Sequence, residues 1–250
     1  MAEKPIRLVK LISHAGFCSR REAEKLIDNG EVFFDGKPYK NFIIDPKLID
    51  RVTVKGERLR KQNTRVWCFN KRIGLVCSNT SQYNKKRYLM FSQKIYQELF
   101  LLGRLDINSE GLLLLTNNPS LSTFLEHPKN KVERKYNVKT KGKLSEDGLK
   151  LLTKGIQVQG IRYRPLKLKI FNRENDITDF EIKIFEGKNR EIRKLLNFLG
   201  LKVIKLERIE YGPFKITNNE KNSLYEVKKN QLKINLEILG FINEDNFWTA

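Results

Sequence analysis

Gly103-Arg-Leu-Asp-Ile-Asn-Ser-Glu-Gly111 runs directly into Leu112-Leu-Leu-Leu-Thr-Asn117. The second part is short and continuously apolar, the pattern of a strand buried on both faces. Asn117-Asn-Pro119 ends it with a turn. The first part is polar and carries two glycines, so it reads as a loop anchored by that strand. Loops on a rigid scaffold are where reactive groups are displayed, and Asp106 is the candidate here. The plainer reading is an Asx turn, with the carboxylate accepting amides of its own loop. The local sequence leaves both open.

Short alternating segments surround this stretch. Val66–Asn70 and Leu75–Ser78 read as strands about a Gly74 turn, and 88–100 as partly helical. Ser120–His127 reads as a short helix and Glu133–Lys141 as a strand around Tyr136, Val138 and Thr140. A helix at Ser145–Lys154 stops at Gly155. Strands are expected at Ile156–Val158, Leu166–Ile170, Phe180–Phe185 and Val203–Ile209. Asn189–Leu199 is a helix whose buried stripe is Ile192, Leu195, Leu196 and Leu199. Its other face gathers Arg190, Arg193, Lys194 and Asn197. Gly187-Lys-Asn-Arg190 leads into it, so free amides and two cations share one end, suited to a phosphate or a carboxylate. A solvated basic face is the alternative. Many strands with a few inserted helices predict an α+β fold with a mixed, mostly antiparallel sheet.

A polar stretch, Lys55–Thr64, separates this part from a small front unit. In that unit Leu8, Leu11, Ile12 and Ala15 fall on one helical face, and Gly16 ends the helix. Ser19-Arg-Arg-Glu22 reads as a capping box opening a second helix that runs to about Asn29. Asp35-Gly36 between Val32-Phe-Phe34 and Tyr39 is a hairpin signal. Residues 1–62 are expected to form one domain with its linker, and 63–250 the other.

The chain of 250 residues carries 49 basic and 29 acidic side chains, net +20. The front 62 residues hold 14 and 9 of these, so both parts are basic. Such a surface attracts polyanions. A membrane surface would want the charge on one amphipathic helix, whereas here it is spread along the chain. No apolar run approaches the ~18–20 residues that cross a bilayer, and no signal-peptide pattern opens the sequence. Cys18, Cys68 and Cys77 are odd in number and lack C-x-x-C spacing, which fits a reducing compartment such as the cytoplasm. Phosphate-binding glycine loops for nucleotides are missing from the sequence. His14 and His127 are isolated, so no metal site is expected.

Two resemblances add to this reading. Arg7-Leu-Val-Lys-Leu-Ile-Ser-His-Ala-Gly16, Ser19-Arg-Arg-Glu-Ala-Glu-Lys-Leu-Ile27, Gly30-Glu-Val and Asp35-Gly-Lys37 resemble the S-four (α-L) RNA-binding domain. That implies structured RNA as partner, held through phosphates and shape. Gly103-Arg-Leu-Asp106 with Ser109, Gly111 and Leu112–Asn117, then Arg134-Lys-Tyr-Asn-Val138, then Glu186-Gly-Lys-Asn-Arg-Glu-Ile-Arg-Lys194 with Gly200 and Arg208…Gly212, resemble the RsuA-type branch of the pseudouridine synthases that modify ribosomal RNA. Lys71-Arg-Ile-Gly74 departs from the family, which usually has proline after the lysine. Residues 78–87 also depart, where a glycine-bearing stretch is altered.

The resemblance implies an isomerisation of uridine that needs no cofactor. Asp106 would be the nucleophile, Arg193 its counter-ion, and Tyr136 would stack on the base. Arg104 would fill the space left by an everted base or hold a phosphate. Arg20, Arg21, Lys25, Lys71, Lys188, Arg190 and Lys194 would face RNA. Six phosphate contacts would give a salt slope of about −4. The branch acting on large-subunit (23S) RNA is the closer match. Small-subunit (16S) RNA and a non-catalytic assembly factor are the alternatives. A monomer is expected, with ribosomal RNA or an assembly intermediate as partner.

Overall fold

The computed structural model describes residues 5–77, 99–242 and 248–249. In the front unit, helix α1 (Leu8–His14) buries Leu8, Leu11 and Ile12 completely. Helix α2 (Arg20–Asp28) starts at Ser19, whose Oγ accepts the Glu22 amide at 3.3 Å. Its inner face is Ala23, Leu26 and Ile27. These side chains close over Val32, Ile49, Val52 and Val54 in a core drawn from residues 8–59 alone. The strands Val32–Phe34 and Lys37–Pro38 pair across the Asp35-Gly36 turn, as the dipeptide predicts.

The larger part is built on a mixed sheet, nine-stranded among the described residues. The main order is Lys167–Glu174, Ile177–Ile184, Arg134–Lys141, Lys202–Tyr211, Glu110–Thr116, Val66–Lys71 and Leu224–Glu226. Glu110–Thr116 runs parallel to Lys202–Tyr211, and the other pairs along this path are antiparallel. The expected α+β class therefore holds.

Glu110–Thr116 shows why the leucine run is unbroken. Leu113 and Leu115 enter one core with Ile192, Leu195 and Leu196 of α5 (Glu191–Phe198) and Leu152 of α4 (Glu146–Lys154). Leu112 and Leu114 enter a second core, on the opposite side by strand alternation. There they join Leu121 and Leu125 of α3 (Pro119–Glu126) and Leu232 and Leu236 of α6 (Lys229–Leu239). Both faces are covered, so no position has reason to be polar. Asn118 caps α3 by accepting the amides of Ser120 and Leu121.

Three local readings change. Of Leu75–Ser78, only Val76 makes a strand bridge, and Ser78 lies outside the described residues. The Gly74 amide donates instead to the Ile107 carbonyl at 2.7 Å, which ties this stretch to the 103–111 loop. Most of 88–100 and all of 78–87 are also outside the described residues. Phe100 itself opens a strand, Phe100–Leu102, paired with Leu114–Thr116. Helix α6 was not anticipated.

Candidate active site

The loop before Glu110–Thr116 is fastened from below by Lys71, the last residue of its neighbouring strand. The Lys71 ammonium is fully buried and donates to the carbonyls of Arg72, Asp106 and Ser109, at 3.2, 3.1 and 2.6 Å. Burial pushes its pKa below the ordinary lysine value. Lys71 therefore acts as a strut under the loop. The RNA contact expected of it is corrected, because all three donors of the ammonium are spent on protein carbonyls.

The two loop glycines allow close packing on the strand beneath. A Cβ on Gly111, at φ +98°, would lie 2.3 Å from the Arg208 carbonyl oxygen. One on Gly103 would lie 2.7 Å from the Tyr211 ring. Larger residues would lift the loop off the Lys202–Tyr211 strand, and Asp106 with it.

Asp106 ends up 29% exposed, facing α5. Its Oδ2 lies 3.5 Å from Arg190 Nη1 and 3.9 Å from Arg193 Nε. Its backbone carbonyl accepts the Ser109 amide. The carboxylate is thus aimed across the cleft at two guanidinium groups. Arg193 is only 13% exposed and donates Nη2 to the Asn108 carbonyl at 2.7 Å, so it is held to the same loop. Burial, then the like charge of Arg190, lowers its pKa from the usual arginine value. Tyr136 projects from Arg134–Lys141, 7% exposed. Asp106, Tyr136, Arg104, Arg190 and Arg208 line one cleft of about 680 Å³, large enough for a nucleoside.

The amides at the start of α5 were expected to suit an anion. The anion is the helix's own: Glu191 Oε2 accepts the Lys188 amide at 3.0 Å. Glu191 is buried, and burial followed by repulsion from Glu186 raises its pKa to about 7. Burial also works against ionisation of Glu186, but hydrogen bonds from Lys188 and the Arg164 amide outweigh it and leave that pKa lowered. Lys188 donates Nζ to both Glu186 oxygens and to the Arg162 carbonyl. Its charge is spent on this network before any RNA arrives.

The remaining sequence candidates lie elsewhere. Arg104 and Arg190 are exposed at the cleft, and Lys194 is half-buried on α5. Arg20, Arg21 and Lys25 are exposed on α2, among the equally exposed Glu22, Glu24 and Asp28. Cys68 is a buried core residue whose thiol is pushed up to about 12 by burial. His127 accepts the Lys129 amide through Nδ1 in the turn after α3. Sequence reasoning gave no role to Glu191, Arg134 or Arg208. All three are buried charged residues of the cleft. The only signal was their place inside two of the quoted motifs.

A basic front unit and a cleft in which a carboxylate faces two arginines suit a polyanionic partner. Comparison with known proteins makes this specific. Residues 65–198 match the RNA pseudouridylate synthase family model, and residues 6–48 match the S4 domain. An uncharacterized RNA pseudouridine synthase of Rickettsia felis is 39% identical over 91% of this chain and 99% of its own. Ribosomal large subunit pseudouridine synthase B of Bacillus subtilis is 32% identical over 82% and 85%. A crystal structure of a pseudouridylate synthase superposes with a TM-score of 0.61 at 24% identity, covering 91% of this chain and 98% of that one, which shows the shared fold. The chain belongs to the RNA pseudouridine synthase family and carries an S4 domain at its front.

Proposed function

We propose that this enzyme converts uridine to pseudouridine in ribosomal RNA, with large-subunit (23S) RNA as the substrate and Asp106 as the nucleophile. The observation that carries the reading is the Asp106 carboxylate held 3.5 and 3.9 Å from two arginines in a nucleoside-sized cleft beside Tyr136. Large-subunit RNA is favoured by the name of the Bacillus subtilis relative. Residues 1–62 act as the RNA-holding domain and 63–250 as the catalytic one.

The bond to be broken joins uracil N1 to the ribose C1′, and the bond to be made joins C5 to C1′. The proton on C5 is lost and N1 gains one, so no atoms are added overall. Asp106 bonds to C1′ as the N1–C1′ bond breaks and uracil leaves with that electron pair; C5 of the turned base then displaces the carboxylate from C1′, which splits one difficult step into two. Arg193 and Arg190 keep the carboxylate in place. The Tyr136 ring stacks on the detached base while it turns. A paired or stacked uridine is out of reach of a cleft this deep, so the nucleotide is everted, at a cost of a few kcal/mol. Arg104, exposed at the rim, fills the gap or holds a phosphate.

Pseudouridine mapping across ribosomal RNA, with and without this protein, tests the proposal. One or a few positions in 23S RNA should lose the modification without it and regain it on re-expression. Loss in 16S RNA alone would move the substrate, and an unchanged map would refute ribosomal RNA as the target.

A further inference from the structure

The cleft holds a cation that the chemistry above leaves unused. Arg208, 2% exposed on the Lys202–Tyr211 strand, lines the cleft. Its Nε donates to the Leu112 carbonyl at 2.7 Å, and its guanidinium lies over the Tyr211 ring, 5.1 Å from the centroid. Its Nη2 is buried with no hydrogen-bond partner among the described residues. Arg134 flanks the same tyrosine ring but spends its Nη2 on the Leu125 carbonyl and the Tyr211 hydroxyl.

The acids of the cleft do not answer this charge. Asp106 faces Arg190 and Arg193, and Glu126 accepts the Gly103 amide. Glu186 is taken by Lys188 and Arg164, and Glu191 by the Lys188 amide. Among the described residues no carboxylate forms an ion pair with Arg208. A buried cation with no carboxylate paired to it, and with the Arg134 guanidinium on the same tyrosine ring, is expensive to maintain, and an anion from outside relieves it. A uracil carbonyl would satisfy the hydrogen bond and leave the charge uncompensated. A phosphate oxygen would satisfy both, and guanidinium geometry suits it.

We propose that Arg208 is an anion subsite of the cleft, with its free Nη2 taking a non-bridging phosphate oxygen of the nucleotide whose uridine enters. This rests on the cleft being a uridine pocket. Gly103 and Gly111 then have a second use: they bring the loop down onto Arg208, so that the subsite and Asp106 share one rigid frame.

The test uses the full chain, labelled with nitrogen-15, and follows the Arg208 side-chain signal, assigned through its contact with the Tyr211 ring. The probes are uridine, uridine 3′-monophosphate, uridine 5′-monophosphate and inorganic phosphate. One of the two nucleotides should bind about tenfold or more tightly than uridine and shift the Arg208 signal, while uridine alone leaves it in place. In Arg208→Lys, which keeps the charge and loses the fork, that advantage should shrink or vanish. Should the variant fail to fold, the wild-type signal still decides. Equal binding of nucleotides and nucleoside overturns the subsite. So does an Arg208 signal that moves with uridine alone, or a nucleotide advantage that survives intact in the lysine variant. If phosphate moves Arg208 and uridine adds nothing to phosphate affinity, the anion subsite stands and the uridine reading of the cleft fails.

Discussion

Helices α2 and α5 carry similar charges and use them differently. On α2, Arg20, Arg21 and Lys25 stand in solvent beside three exposed acids. Near α5, Arg193 is held by the Asn108 carbonyl and faces Asp106, and Lys188 is locked to Glu186. The first set can rearrange around many phosphates, and its contribution is screened by salt. The second is placed before substrate arrives and sits where screening is weak. On the proposed reading, charge that recruits RNA is exposed, whereas charge beside the reacting carboxylate is fixed and largely buried.

Substitutions should separate the two. Arg193→Gln should lower single-turnover conversion by roughly 10²-fold while RNA affinity changes little; a fall in affinity with an unchanged rate would place Arg193 with the recruiting set. Lys71→Met orphans three carbonyls under the loop. It should cost roughly 2–3 kcal/mol, or about 4–12 °C in Tm for a chain of this size. A melting point that does not move would mean that the strut is dispensable.

Glu191 gives a pH dependence. Its folded pKa, about 7, lies above the unfolded value near 4.5, so the folded state binds the extra proton between those pH values. Its contribution to stability is therefore greatest below pH 4.5, falls as pH rises to 7, and is flat above. Glu191→Gln should raise Tm relative to wild type at pH 8 more than at pH 5. The same gain at both would show that Glu191 does not titrate in this window. The smallest effect belongs to α2. Replacing Arg20, Arg21 and Lys25 with alanine should reduce the salt slope of RNA binding by about 2, with the rate at saturating RNA unchanged. A changed saturated rate would erase the contrast between the helices.

Much of the fold could be read from pattern. The leucine run, the Ser19 cap and the Asp35-Gly36 turn each have a local cause, and each appears where expected. The carboxylate and its facing arginine were visible as a motif, while their spacing of 3.9 Å depends on two distant segments meeting. Lys71 was misread because a lysine at a strand end looks like a surface charge. Only the loop folding over it supplies three acceptors. Arg208 and Glu191 were passed over for a related reason: nothing local tells a buried charge from an exposed one when its neighbours come from another strand. Helix α6 did leave a trace, in Leu232, Leu236 and Leu239 at i, i+4 and i+7, which was not read.

The most direct test of the account replaces Asp106 with asparagine, which keeps the shape and removes the charge. Conversion at the mapped uridine and RNA affinity should be measured on the same preparation. Conversion should fall by more than about 10³-fold with affinity nearly unchanged. An asparagine variant that still isomerises uridine at the normal rate would contradict the central role given to this carboxylate.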